Sequence, residues 1–212
     1  LDTKGEEFAF LRDELRRLGA EPIMVDLGIM GTPAFTGDVT REEVLNRAGT
    51  TVEEMQTGNR RGDAIEAVIA GGIAIALDLY SQERIDGVIA MGGGSGTTIG
   101  TTIMEALPFG LPKVVVPTLS RLHPWVRGTD VVVIRTVVDL VGLNPITRIH
   151  ISQAAAAISG MSTNRPASSS TTRSIVITCL GVTTPGVMHL RDVLRAAGKE
   201  VIVLHRRTHN LP

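Results

Sequence analysis

The sequence predicts an α/β protein: a Rossmann-like three-layer domain with a parallel sheet, followed by the beginning of a second Rossmann-like unit. Three observations predict it. Strand-like apolar runs alternate with helical patterns along the 212 residues, which implies right-handed β-α-β crossovers. Hydrophobic residues make up 43% of the chain but aromatics only 3%, so the core is aliphatic, as suits a parallel sheet covered by helices. Finally, "GVIAMGGGSGTT" places bare backbone between a strand and a helix, where open α/β sheets bind ligands.

The elements follow in order. "TKGEEFAFLRDELRRLGA" carries Phe8, Leu11, Leu15 and Leu18 at helical spacing. Thr3 with Glu6 reads as a capping box, and Gly19 as the stop. "EPIMVDLG" reads as a short buried strand ending at Asp26, and a Pro/Gly/Thr-rich loop runs from Gly28 to about Thr40. A short capped helix opens at Thr40. "NRRGDAIEAVIAGGIAIALDLYSQER" is a long helix. Gly71 and Gly72 cost it on the order of 1 kcal/mol each against Ala, which is tolerable where another backbone packs close. "IDGVIAM" is a strand, "TTIGTTIMEAL" a helix starting near Thr97, "LPKVVVPT" a strand and "TDVVVIRT" another strand or an edge segment. "NPITRIHISQAAAAISGM" is a helix with Asn144 as cap and Pro145 at its first position. "STNRPASSSTTR" has no periodic apolar face and reads as a linker. "SIVITCLG", "TTPGVMHLRDVLRAAG" and "EVIVLH" then form one β-α-β unit. The division is a domain over 1–161, a linker over 162–173 and the start of a second unit over 174–212. The chain starts without Met and stops soon after a strand-like run, so it reads as part of something longer. A short second unit with an exposed face makes a homodimer an expected assembly.

Charge and composition exclude several classes. Twenty-one basic against 22 acidic residues give a net charge of −1, which argues against a nucleic-acid partner. One Trp, one Tyr and four Phe offer few stacking platforms. The longest apolar stretch, "AVIAGGIAIALDLY", is short for a membrane span and contains Asp78, so no membrane role is expected. Cys179 is the lone cysteine, which excludes an intrachain disulfide, and it reads as a small buried strand residue. These features suit a cytoplasmic protein.

No metal site is expected. His205 and His209 have H-x₃-H spacing but follow a strand and lack the Glu of H-E-x-x-H. His123, His150 and His189 are dispersed. Asp26 and Asp130 flank apolar runs and could reach Mg²⁺ indirectly, but Asp at strand ends is common without such a role.

The glycine loop carries the chemistry. Gly92, Gly93, Gly94 and Gly96 let the backbone wrap an anion and reach positive φ. Ser95, Thr97 and Thr98 add hydroxyl donors at a helix start, whose unpaired N–H groups favour negative charge. The bland alternative is a tight β-α turn with no ligand. The loop is not Walker A, which needs a Lys after its second Gly. Thr97 occupies the glycine position that either G-x-G-x-x-G from Gly92 or a nucleophile elbow on Ser95 would need. It resembles the G-G-G-S loop of iron-dependent alcohol dehydrogenases without their Asp and Lys, and the G-G-D-G-[ST] loop of NAD kinases and phosphofructokinases with Ser95 in place of Asp.

Four stretches together resemble one family: "LDTKGEEFAFLRDELRRLGAEPIMVDLG", "PAFTGDVTREEV", the run from Ile85 to Thr118, and "GVTTPGVMHLRDVLRAAGKEVIVLH". It is the uncharacterised bacterial, fungal and plant family named for the ATP-binding domain of the tomato mosaic virus resistance protein. The resemblance implies two Rossmann-like halves and binding of ATP with Mg²⁺. It implies nucleotide contacts at Gly92, Gly93, Gly94, Ser95, Gly96, Thr97 and Thr98, with Asp2, Thr3 and Lys4 facing the same crevice and Lys4 as a phosphate counter-charge. Gly181, Thr183 and Thr184 lie at a second strand-to-helix turn, where the threonines also read as ordinary caps. After Thr118 the stretch "LSRLHPWVRGTD" departs from the family's A-S-G-D. The expected function is nucleotide binding with the partner a small molecule. The alternative is a metabolic enzyme using the loop as an anion site for a phosphorylated or carboxylated substrate.

Overall fold

A computed structural model describes residues 1–57, 61–118, 129–164 and 173–205. The chain divides into two compact units, Leu1–Arg165 and Pro166–Pro212.

The first unit is a three-layer α/β sandwich. Its sheet has the order β1-β2-β3, all parallel: β1 is Val88–Gly92, β2 Lys113–Pro117 and β3 Val132–Val133. β2 is central and buried throughout, which is why it reads as an unbroken apolar run. Alternation along the strands divides the core. Met91, Val114 and Val116 meet Leu11 and Leu15 of α1 (Gly5–Arg17) and Ile151, Ala154, Ala155 and Ile158 of α6 (Pro145–Thr163). On the other side, Val88 packs against Ile103 of α5 (Gly94–Ala106) and Ala76 of α4 (Arg61–Ser81). Gly100 is required there, because a Cβ would stand 2.5 Å from that of Ala90.

Several expected signals operate as read. Thr40 caps α2 (Arg41–Arg47) through a complete capping box with Glu43. Asn144 accepts from the amides of Ile146 and Thr147 at the start of α6. Gly71 and Gly72 sit where α4 crosses its neighbours, Gly71 against the Val44 carbonyl of α2 and Gly72 against the Ile103 side chain. Gly19 ends the first helix with φ +84°.

Other expectations are corrected. The cap of α1 is Lys4, without a side-chain hydrogen bond, and not Thr3. The "EPIMVDLG" strand is reduced to one parallel bridge, Val25 to Val39. The ladder stops there because the Asp38 carboxylate takes the Met24 amide at 2.7 Å. A helix that was not expected, α3 (Val52–Thr57), follows Thr51, which accepts from Glu54 N. The signal was Thr51-x-x-Glu54, a capping pattern. The helix α6 continues through Ser162 and Thr163, where the linker was expected to begin, and residues 165–172 of that linker lie outside the described residues. The stretch Gly62–Ser81 is long and apolar enough to cross a membrane, longer than the apolar run read from the sequence. In this fold it is a core helix, with Val68, Ile75, Ala76 and Leu79 buried.

Lys113 is almost fully buried, and its ammonium donates to both Asp130 oxygens at 2.9 and 3.0 Å and to the Pro108 carbonyl at 2.8 Å. Burial alone would raise the Asp130 carboxyl, but hydrogen bonds from Lys113 and the Gly110 amide outweigh it and hold the pKa below its ordinary 3.8. A depressed folded pKa contributes stability that is complete above 3.8 and is lost as pH falls through the folded value. We therefore expect Asp130→Asn to cost about 2–3 kcal/mol at pH 7, because it strands a buried ammonium. The difference from the parent should persist down to about pH 4 and shrink in urea melts at pH values below 3.8.

The second unit is one β-α-β module. β4 (Ile175–Cys179) and β5 (Val201–His205) pair in parallel, with α7 (Thr184–Ala196) between them. Cys179 is buried in its strand as read.

Candidate functional site

The site is built from the carboxyl ends of β1 and β2 and the start of α5. β1 ends at Gly92, Gly93 is the helix cap, and Gly94, Ser95 and Gly96 form the first helical turn. The helix thus begins one turn before the expected Thr97. The loop is not a loop: strand and helix meet at a single extended residue, Gly93. The Thr97 amide closes the turn onto the Gly93 carbonyl at 2.8 Å, and the Thr118 amide donates to Gly92 O at 3.0 Å, tying the end of β2 to the turn.

The four glycines have different reasons. None of them has positive φ, which corrects the expectation that the backbone needs it here. Gly92 is a packing requirement: a Cβ would stand 2.9 Å from Gly96 Cα. Gly93 and Gly96 would make only ordinary contacts, at 3.8 Å to the Thr118 hydroxyl and 3.5 Å to Met91 O. Gly94 is exposed, and a Cβ there would meet nothing within 4 Å. Helical glycine costs roughly 1 kcal/mol against Ala, and the fold gives no return on that cost at 94.

Helix geometry leaves the amides of Gly94 and Gly96 without a carbonyl one turn back. The threonines are committed elsewhere. Thr97, buried, donates its hydroxyl to Gly92 O at 3.1 Å, and Thr98 donates to Gly94 O at 2.9 Å. The donor set for an anion is therefore backbone amide, reinforced by the positive end of the helix dipole.

Asp2, Thr3 and Lys4 stand at the start of α1. Asp2 accepts from the amides of Met30 and Gly31, both at 3.2 Å. Burial would raise its pKa, but the Gly31 amide leads a set of hydrogen bonds and positive charges that lower it below 3.8. Gly28 lies under this carboxylate and Gly5 under Ala34, so the 28–34 loop covers the first turn of α1. Lys4 gives its ammonium to the Leu140 carbonyl, with Asp139 at 3.9 Å. Thr3 is exposed. These residues engage the 28–34 loop and the 139–140 segment, and among the described residues no hydrogen bond or ion pair joins them to the glycine turn.

In the second unit, Gly181 opens a 3₁₀ turn through Thr183. The Thr183 hydroxyl accepts from Leu180 N and donates to Leu180 O, so it stabilises that turn rather than capping α7. Thr184 lies 3.1 Å from the Cys179 sulfur.

The sequence did not reveal the buried pair Asp26–Arg41. Asp26 Oδ1 accepts from the nitrogens of Leu1 and Gly28, and Oδ2 accepts from Arg41 Nε and Nη2 at 3.2 and 3.1 Å. Four donors saturate this carboxylate. Asp130 is likewise held by Lys113. Among the described residues, no three of His, Cys, Asp and Glu converge on a common point. The stretch 119–128 with His123, and His209, lie outside the described residues.

Residues 1–167 match the family described as "Uncharacterised protein family (UPF0261) N-terminal domain". The chain is 36% identical over 208 residues to a UPF0261 protein of Clostridium tetani, covering 97% of this chain and 52% of that protein. A UPF0261 protein of Rhizobium meliloti is 38% identical over 207 residues, 96% of this chain and 50% of that protein. The tomato (Solanum lycopersicum) ToMV resistance protein Tm-1(GCR237) is 29% identical over 228 residues, 96% of this chain and 30% of that protein. The chain spans about half the length of the bacterial relatives it matches.

Proposed function

Because this chain belongs to the uncharacterised UPF0261 family, to which the tomato Tm-1 protein is related, we propose that it binds a nucleotide, Mg-ATP, with phosphate held by the turn from Gly92 to Thr98. The observation that carries the reading is Gly94. It is a glycine that neither backbone conformation nor packing demands, in the first turn of a helix at the carboxyl end of a parallel sheet. A ligand pressed against that backbone explains the missing side chain. A phosphate fits: its oxygens accept from the amides of Gly94 and Gly96. Magnesium would enter as part of the ligand, held by its phosphates and by water, because the carboxylates of Asp2, Asp26 and Asp130 are engaged elsewhere. The cation would supply charge neutralisation on the phosphates. A cytoplasmic location is part of this proposal.

The experiment is a calorimetric titration of Mg-ATP into the full-length protein, with NAD and inorganic phosphate as controls. Saturable, Mg-dependent binding of ATP alone is the expected result. Silence for ATP with binding of NAD or phosphate would transfer the turn to another anion, as in an enzyme acting on a phosphorylated or carboxylated metabolite.

A second variant separates packing from binding within the turn. Gly92→Ala is expected to destabilise the first unit by about 2–3 kcal/mol, because its Cβ meets backbone of Gly96. A urea midpoint equal to the parent's would contradict this assignment.

A further inference from the structure

We propose that the outer face of α6 is a self-association surface whose partner is a second copy of this chain, joined helix to antiparallel helix across a two-fold axis. A surface helix ordinarily turns charged residues to water. Among the 19 residues of α6, Arg148 is the one Asp, Glu, Lys or Arg, and its guanidinium lies 4.8 Å from the Phe10 ring of α1. The inner side of the helix buries Thr147, Ile151, Ala154, Ala155 and Ile158. The outer side carries Ile146, Ile149, Gln153, Ala156 and Gly160, all exposed and all uncharged. Their spacing alternates between three and four residues without a break, so they form one seam of the kind a second helix packs against. Ile146 is 42% exposed and Ile149 57%, and Val141, 74% exposed, precedes the Gly142 carbonyl that Thr147 holds at the helix start. These three side chains leave about 300 Å² of apolar surface open, as much as the largest patch of many monomers.

The seam is self-complementary. Its large residues precede Gln153 and its small ones follow it. Laid antiparallel about Gln153, two copies set Ile146 of each against Gly160 of the other, and Ile149 against Ala156 and Ala157, so bulk meets space at both ends. At the pivot the two Gln153 amides face each other. Each has an N–H donor and a carbonyl acceptor, so the pair closes two reciprocal hydrogen bonds. That reciprocity follows from two-fold symmetry and favours a second copy over an unrelated helix. A net charge of −1 lets two copies approach without strong repulsion. A standard interface takes about 800 Å² from each partner, and α6, roughly 28 Å long, spans that footprint together with the adjoining surface of α1. The surface does not depend on the nucleotide reading of the glycine turn.

The test is sedimentation of the full-length protein, which should run as a dimer at micromolar concentration. Ile149→Arg, at an exposed position, should weaken dimerisation at least about a hundredfold and leave the circular dichroism spectrum unchanged. Gln153→Cys should oxidise to a disulfide-linked dimer, because the axis brings the two side chains together. Glu66→Cys, exposed on α4, should not, and the native Cys179 is buried. A monomeric full-length protein overturns the proposal and assigns the cover of the seam to another part of the same polypeptide. A dimer that survives Ile149→Arg overturns it too, as does Gln153→Cys crosslinking no faster than Glu66→Cys.

Discussion

Gly71→Val is expected to destabilise the first unit by about 4 kcal/mol or more, which takes most of the stability of an ordinary domain. A Cβ at this position would stand 1.9 Å from the Val44 carbonyl oxygen and 2.8 Å from its carbon. Both are backbone atoms of α2, so no rotamer relieves the overlap. The helices α2 and α4 would have to separate and release Val44, Ile75 and Leu79, which form one core cluster. Removing a helical glycine gains about 1 kcal/mol, too little to offset this. Gly62 in the same helix meets nothing within 4 Å, so Gly62→Ala should be neutral or slightly stabilising. Urea melts of the two variants provide the check. Equal midpoints would mean that α2 and α4 do not cross at Gly71.

Gly94→Leu is expected to have the opposite signature: a normal fold with binding of Mg-ATP weakened at least about a hundredfold. Open space surrounds the position and its backbone is helical, so stability should rise by up to about 1 kcal/mol. The new side chain would stand over the first-turn amides and exclude a phosphate. The calorimetric titration and a thermal melt on the same sample separate the two effects. Intact binding in Gly94→Leu would remove the glycine turn from the nucleotide site, whatever else the protein binds.

Local signals were legible wherever the physics is local. Asn144-Pro145 and the Thr40/Glu43 pair announced two helix starts, because a cap is satisfied within three residues. The unbroken apolar run of β2 announced a central parallel strand. The glycine-rich stretch marked the strand-to-helix junction, but the reading overestimated the loop. Gly94, Ser95 and Gly96 have poor or middling helix propensity, yet they fold as helix because β1 and α5 pack directly together.

What the sequence by itself determined is the order of elements, the parallel α/β class and the position of the junction at Gly92–Thr98. Each depends on periodicity, caps or glycine, which act over a few residues. Only the tertiary structure decided which glycines serve packing and which stand open, because that depends on neighbours such as Gly96 against Gly92 or Val44 against Gly71. It also decided that Asp26 pairs with Arg41 and Lys113 with Asp130, 15 and 17 residues apart. A charged residue in a sequence reads as solvated. It becomes interior only when folding brings a partner and removes water from both, and no local pattern encodes that event.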